Sequence, residues 1–338
     1  MKWYTTPESE IIISSRTRLA RNLGKYSFSA LLSDDGCRGM IRDVAGALER
    51  TPLSAEFSYT DLNEAAPVEL QSMLERHIIS PFLLSSGGPR GVLVKDDESV
   101  CIMLGEEDHI RIQSIFAGDD MDSAFDLADK IDNLIEETLE YAFDKDLGYL
   151  TSCPTNAGTG LRASYMLHLP LLERTGQIKN LPHSLGKFGM TIRGIYGEGS
   201  EPRGSIYQIS NQITLGKAEQ EIIAALKNVT KQIIDAENAS RRQLTPHQHS
   251  VVEDEIHRSY GLLANCRRLT VNEGMTLLSN LRLGYEIGIF KNPAISIYNV
   301  MMNIHPANLQ KEAGRELSDE EMLIKRAEYV RGIVHKPA

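Results

Sequence analysis

The chain reads as an α+β fold in which a part mixing strands and helices is followed by a smaller, all-helical part, and three observations predict it. Residues 91–104 hold two short apolar runs, Gly91-Val92-Leu93-Val94-Lys95 and Ser99-Val100-Cys101-Ile102-Met103-Leu104, joined by the charged turn Asp96-Asp97-Glu98. Apolar residues recur at helical spacing from Met121 to Phe143 and again from Lys217 to Ala236. Beyond residue 250 the pattern is mostly helical, with capping-box spacing at Thr270–Glu273 and Ser318–Glu321.

In chain order, Ile11-Ile12-Ile13 predicts a strand that passes into a loop or a helix start at Ser14-Ser15-Arg16-Thr17-Arg18. The paired strands of 91–104 deliver Glu106-Glu107-Asp108 at their apolar end. The helix of 121–143 buries Phe125, Ala128, Ile131, Leu134, Ile135, Leu139 and Ala142 and turns an acidic face outward. Arg193 and Ile206–Ser210 predict strands around a glycine-containing loop. The helix of 217–236 buries Ile222, Ile223, Leu226, Val229, Ile233 and Ile234. The polar, Arg- and Gln-rich stretch Asn238–His249 with Pro246 marks a boundary, giving domains 1–240 and 250–338. Leu277, Leu278 and Leu281 suit either a homodimer face or an internal helical core.

At 338 residues with 41% apolar residues and a mean hydropathy of −0.25, the chain belongs among globular proteins of one or two domains. No apolar run is long enough for a bilayer, and Met1-Lys2-Trp3-Tyr4-Thr5-Thr6-Pro7-Glu8 opens no signal-peptide core, so a cytoplasmic protein without membrane association is expected. A net charge of −10 argues against nucleic acid as a partner. Cys37, Cys101, Cys153 and Cys266 show no CxxC spacing, and no metal site is expected.

Arg16 and Arg18 are two residues apart, so on a strand they project to one side, where paired guanidinium planes suit a polyphosphate; Arg21 joins them if the chain turns helical. Glu106, Glu107 and Asp108 crowd like charges after an apolar strand, suited to a cationic acceptor, with Arg111 nearby for phosphate. His109 either packs against a base or holds the loop. Cys153-Pro154-Thr155-Asn156-Ala157-Gly158-Thr159-Gly160-Leu161-Arg162 reads as a compact loop leading to a helix through Ala163, Met166 and Leu167, a helix N-terminus being an anion site. Cys153 is there either an activated thiolate or a packed thiol. There is no Gly-Lys-Ser or Gly-Lys-Thr, which excludes a Walker loop. Glycines 194, 197, 199 and 204 suggest a closing loop that offers Glu198 and Glu201 to the acceptor.

Taken in order, Glu106-Glu107-Asp108-His109-Ile110-Arg111 and Cys153-Pro154-Thr155-Asn156 with Gly158-Thr159 and Arg162 resemble the catalytic domain of guanidino (phosphagen) kinases, over roughly residues 10–240. The remainder resembles the helical C-terminal domain of the bacterial protein arginine kinase branch. The resemblance implies a largely antiparallel sheet flanked by helices. It implies ATP contacts from Ser14, Ser15, Arg16, Thr17, Arg18, His77, Arg111, from Arg162, Ala163, Ser164, Tyr165 and Met166, and from Arg193, Gly194, Ile195, Tyr196, Gly197 and Glu198. Glu107, Glu198 and Cys153 become catalytic, with Glu106, Glu107 and Glu201 facing the acceptor.

ATP with Mg2+ held mainly through the phosphates is the implied cofactor set. Arginine side chains on proteins are the implied acceptor, with an activator protein and an AAA+ protease that reads the mark as implied partners. A kinase for free arginine or another small guanidine, and a silent nucleotide-binding regulator, are the alternatives. The chain departs from the family at Tyr196, where the small-guanidine enzymes carry arginine, and at Gly105, where asparagine is usual and the carboxylate loop is expected to loosen. A third departure is Met322-Leu323-Ile324-Lys325-Arg326-Ala327, which keeps only the Arg-Ala end of the branch's phosphoarginine-sensing motif. No counterpart of the separate N-terminal helical domain that encloses small guanidines precedes the resemblance, which favours an exposed acceptor.

Overall fold

The computed structural model describes residues 2–6, 11–194, 203–291 and 295–334. The strands are β1 (Ile12–Arg21), β2 (Phe57–Asp61), β3 (Gly91–Lys95), β4 (Val100–Leu104), β5 (Ile110–Ala117), β6 (Phe143–Asp144), β7 (Gly148–Tyr149), β8 (Leu161–His168), β9 (Met190–Gly194) and β10 (Ile206–Asn211). The helices are α1 (Asp34–Glu49), α2 (Pro67–Glu75), α3 (Pro81–Ser85), α4 (Met121–Glu136), α5 (Pro170–Arg174), α6 (Leu181–Gly186), α7 (Glu219–Arg242), α8 (Pro246–Asn265), α9 (Val271–Glu286), α10 (Ile297–Asn303), α11 (Pro306–Ala313) and α12 (Asp319–Val334). An eight-stranded sheet has the order β2-β3-β4-β5-β1-β8-β10-β9, and β6 and β7 pair separately. The pairings β2–β3, β3–β4, β4–β5 and β5–β1 are all antiparallel, as the α+β reading requires.

Two compact units share the chain: Met1–Trp3, Ser14–Ser164 and Ser210–Lys227 make the first, and Tyr4–Ile13, Tyr165–Ile209 and Asn228–Ala338 the second. In the first, β4 is buried along its whole length, as its unbroken apolar run demands. Its Cys101 and Met103, with Val92 of β3, pack on Leu70 and Met73 of α2 and Leu83 of α3. Helix α1 buries Met40, Ile41, Val44, Ala47 and Leu48, a helical stripe, and Ser33 caps it by accepting from the Gly36 amide.

The second unit is built around α8 and α9. Val252, Ile256 and Leu283 pack with Leu171, and Thr270 caps α9 through the Glu273 amide. Leu277, Leu278 and Leu281 are buried within the single chain, so the internal core accounts for them. A buried ionic group ties β8, α5, α7 and α9 together. His168 Nδ1 lies 3.2 Å from each Glu286 oxygen, and its Nε2 lies 2.8 Å from the Ser279 hydroxyl. Arg241 and Arg282 donate to Glu286 at 2.6 and 2.7 Å. Glu237 accepts from Arg241 at 3.1 Å and from the Leu171 and Leu172 amides that open α5.

Four sequence expectations change. Helix α4 stops at Glu136, so Leu139 and Ala142 are not helical; the chain crosses instead to the end of β1, where the Ala142 amide donates to Asn22 O at 2.7 Å. Helix α7 runs to Arg242 and α8 starts at Pro246, so the polar stretch between them is helical except for Gln243–Thr245. Thr245 and Gln248 close a capping box there. Ser14–Arg18 is neither loop nor helix start but the middle of β1. Leu161–His168 is a strand, not a helix, because its buried residues fill both faces.

Candidate functional site

Strand alternation sorts β1 into two sets. Antiparallel pairing places Arg16 opposite Ile115, Arg18 opposite Gln113 and Ala20 opposite Arg111, so Arg16, Arg18 and Arg111 share one face of the sheet. Arg16 Nε lies 3.4 Å from the Ser164 hydroxyl, which puts the even-numbered residues of β8, including Arg162, on that same face. Arg162 in turn reaches the Ser210 hydroxyl at 3.3 Å. Burial, and then the like charges of Arg16, Arg111 and Arg162, push the Arg18 guanidinium well below its usual value. Four cations converge here, and an arginine does not relieve such crowding by losing its proton. A polyanion relieves it.

The opposite face of β1 is structural, which corrects two expected phosphate contacts. Ser15 donates to Gly118 O at 2.7 Å and accepts from the Asp120 amide at 2.9 Å. Thr17 donates to Ala124 O at 2.7 Å, so both side chains bolt the sheet to the start of α4. Arg21 also lies on that face, ion-paired to Asp132 at 2.6 Å and stacked 3.5 Å from the Tyr149 ring centre. It does not join Arg16 and Arg18. Ala163 and Tyr165 have the opposite parity to Arg162 and Ser164 on β8, and both are buried. Ser14 and Met166 are buried as well, while Arg193 and Gly194 fall on β9 in the second unit.

The carboxylates sit on the turn between β4 and β5. Gly105 takes φ +74°, and a side chain there would bring Cβ within 2.5 Å of Pro89 O; its amide donates to His109 O at 3.1 Å. Glycine therefore tightens this loop, contrary to the expected loosening. Glu106 is fully enclosed by Arg111, by the Ser80 hydroxyl at 2.6 Å and by the Glu107 amide at 2.7 Å. Its expected place at the acceptor is thus corrected: it positions Arg111. Glu107 is half-buried, with one oxygen 3.4 Å from Arg111 Nη2. Burial raises its carboxyl above the ordinary value, Arg111 opposes this, and Asp108 and Glu106 add to it.

His109 is a loop-holder. It accepts from the Leu23 amide at 3.0 Å and donates to Ser27 O at 2.9 Å. Asp108 is buried, and its Oδ1 accepts from Asn22 Nδ2 and from the Ser152 amide, both at 2.7 Å. Asn22, which the sequence did not single out, also accepts from the His109 amide at 2.9 Å. Through these bonds the carboxylate turn and the segment leading to Cys153 are one construction. Cys153 is partly exposed, with Sγ 3.0 Å from the Thr155 hydroxyl at a single helical turn, Pro154–Asn156.

Gly158 and Gly160 serve chain crossings. Added Cβ atoms would meet Thr214 O at 2.5 Å and Ala20 O at 2.6 Å. No long helix follows, so the expected helix-terminal anion site is replaced by guanidinium groups on strands. His77 holds its backbone at φ 61°, and its carbonyl accepts from Gln113 at 2.7 Å, beside the arginine face. Ile195, Tyr196, Gly197, Glu198 and Glu201 lie outside the described residues.

Comparison with known proteins agrees with this construction. The model of the ATP:guanido phosphotransferase C-terminal catalytic domain matches residues 39–240, and that of the protein-arginine kinase McsB C-terminal domain matches residues 249–337. A protein-arginine kinase of Caldanaerobacter subterraneus is 45% identical over 96% of both chains. One of Bacillus mycoides is 44% identical over 96% of this chain and 92% of its own. Among solved structures, lombricine kinase superposes with a TM-score of 0.62 at 25% identity, over 68% of this chain and 67% of that one. With four strand-borne guanidiniums beside a carboxylate turn, and with these matches over nearly its whole length, the chain belongs to the ATP:guanido phosphotransferase family, in its protein-arginine kinase branch.

Proposed function

We propose that this protein transfers the γ-phosphoryl group of ATP to arginine side chains of other proteins. The observation that carries the reading is the convergence of Arg16, Arg18, Arg111 and Arg162 in the unit that also presents Glu107 half-exposed. The nucleotide's phosphates lie against the four guanidiniums, which offset the charge of the transferring group. Glu107 aligns the acceptor guanidinium and takes a proton from it. The nitrogen attacks the γ-phosphorus, an N–P bond forms, the bond from the γ-phosphorus to the bridging oxygen breaks, and ADP departs with that oxygen's electron pair. The raised carboxyl of Glu107 makes it a better base than an ordinary glutamate once it is ionised.

Among the described residues no group of three or more carboxylates, imidazoles or thiols converges to hold a metal ion, and Glu106 is already committed to Arg111. This donor set fits Mg2+ that arrives on the nucleotide and is held mainly through its phosphates; when bound, it neutralises phosphate charge. Glu198 or Glu201 supplies a second carboxylate to the acceptor, and Cys153 borders it on the loop fixed by Asp108. The family resemblance supports an activator protein and an AAA+ protease that reads the phosphoarginine mark, all in the cytoplasm. The rigid turn at Gly105 removes one of the two departures that motivate the silent-regulator alternative, the other being Met322–Ala327.

Incubation with Mg-ATP and an arginine-rich protein, followed by mass spectrometry at neutral pH because phosphoramidates are acid-labile, should place phosphate on arginine side chains. Phosphorylation of free arginine alone would move the protein to the small-guanidine kinases.

A further inference from the structure

The first unit carries a groove of about 360 Å3 that the phosphoryl-transfer chemistry does not use. Phe143 and Leu147 of the β6–β7 hairpin and Leu215 border it, and they are 59%, 50% and 49% exposed. Single exposed apolar side chains are ordinary, whereas three around one concavity mark a contact surface. Phe143 is held in place by an edge-on contact with Tyr149, their ring centres 5.3 Å apart. Thr214, on the floor of the groove, lies with its hydroxyl 2.9 and 2.6 Å from the Thr155 and Ala157 carbonyl oxygens. The groove is therefore the back of the loop that starts at Cys153.

Its rim is acidic. Asp146, Glu219 and Glu221 line it against Lys217. Glu136 and Glu219 are near enough to Tyr149 to add to the upward push that burial gives its hydroxyl. Next to this rim the chain concentrates its charge: Asp119 to Asp146 contains eleven carboxylates and two lysines, against a net charge of −10 for all 338 residues. Asp126, Glu136, Glu137 and Glu140 of this stretch are exposed.

We propose that the groove docks an extended segment of the protein substrate in which large apolar residues stand between arginines. This rests on the reading of the protein as a protein-arginine kinase. An apolar side chain enters between Phe143, Leu147 and Leu215, and the flanking arginines face the rim carboxylates. The two features select together. Free arginine has no apolar side chain to insert, and a folded protein keeps its large apolar residues inside, so the surface favours arginines in exposed, extended chain.

The test uses two full-length double variants outside the phosphoryl-transfer residues, Phe143→Ser with Leu215→Ser and Glu136→Lys with Asp146→Lys. The probes are a fluorescein-labelled peptide with an Arg-Phe-Arg-Leu-Arg centre, the same peptide with Arg-Ser-Arg-Ser-Arg, and acetyl-arginine amide. Fluorescence anisotropy without ATP should show the first peptide binding about tenfold more weakly to either variant, and the serine peptide about tenfold more weakly to the parent. With Mg-ATP, KM for the first peptide should rise by a similar factor at unchanged kcat, while acetyl-arginine amide is phosphorylated as before. Equal peptide affinity in parent and variants would overturn the proposal, as would a parallel loss for peptide and small acceptor. A shift from dimer to monomer in the variants with unchanged peptide affinity would assign the groove to a second copy instead. A parent that binds the peptide through the groove yet transfers no phosphate to any acceptor would sink the kinase reading and leave the docking surface standing.

Discussion

The first unit gathers Arg16, Arg18, Arg111 and Arg162, with Glu106 and Glu107 both drawn to Arg111. The second unit gathers Arg241 and Arg282, and there Glu286 serves both arginines and His168, while Glu237 serves Arg241 and two amides. Both places bury charge, yet they balance it differently. In the second, carboxylates match the arginines, and the group is a strut between helices and a strand. In the first, four arginines share one face of a sheet, and the two glutamates of the β4–β5 turn are both directed at one of them, Arg111, a pattern that suits a polyphosphate. The way the charges are arranged, more than the number of arginines, separates a binding site from a brace.

That contrast can be broken at several points. The largest effect is expected from Glu107→Gln, which should lower kcat by about a thousandfold, roughly 4 kcal/mol in activation free energy, while nucleotide affinity by calorimetry is retained. Near-normal turnover would remove Glu107 from the mechanism. Glu286→Gln should leave nucleotide affinity intact but cost about 3 kcal/mol of stability in urea titration, because two arginines lose their common partner. A matching loss of nucleotide affinity would mean that the brace is not merely a brace.

A smaller effect of opposite sign is expected from Arg18→Met. Removing one of four crowded cations should stabilise the nucleotide-free protein by about 1 kcal/mol and abolish most of the rise in Tm that ATP produces. If the nucleotide-free protein is instead destabilised, the four guanidiniums are not in mutual conflict. The smallest effect concerns acid. Burial lowers the His168 pKa despite Glu286. Burial opposes ionisation of Glu286, but His168, Arg282 and Arg241 outweigh it and hold its carboxyl well below the ordinary range. Both folded-state values are depressed, so both contributions are present above the unfolded values of about 6.5 and 4.3 and fade as the pH falls. The urea midpoint should decline below about pH 6.5, and a midpoint that rises on acidification would contradict the neutral, Ser279-bonded histidine.

Much of this was legible in the sequence, and the failures have particular causes. Alternation alone put Arg16 and Arg18 on one side, and the apolar run before Glu106 located the carboxylate turn. The same alternation, applied one residue further along, would have removed Ser15 and Thr17 from the phosphate site. Leu161–His168 was misread because Ala163, Met166 and Leu167 also satisfy a helical spacing, and a short run buried on both faces carries no decisive period. Leu139 and Ala142 extended a helical pattern past its end because the segment that crosses to the end of β1 half-buries them, so apolar residues suit both positions without a helix. Asn22 left no signal at all: a single polar residue at a strand end becomes a junction only when three distant segments meet around it. Gly105 was read against the family's asparagine, and only the approach of Pro89 O explains why a side chain does not fit.

The two faces of β1 have a further consequence for how this protein changes over generations. Ser14, Arg16 and Arg18 point one way, and Ser15, Thr17 and Arg21 point the other. A deletion or insertion of one residue within the strand would exchange the two sets at a stroke, aiming the ligand arginines into α4 and the fastening hydroxyls at the phosphates. A change of length within the strand cannot be absorbed there: the span from Ser14 to Arg21 must be inherited with its reading frame of faces intact.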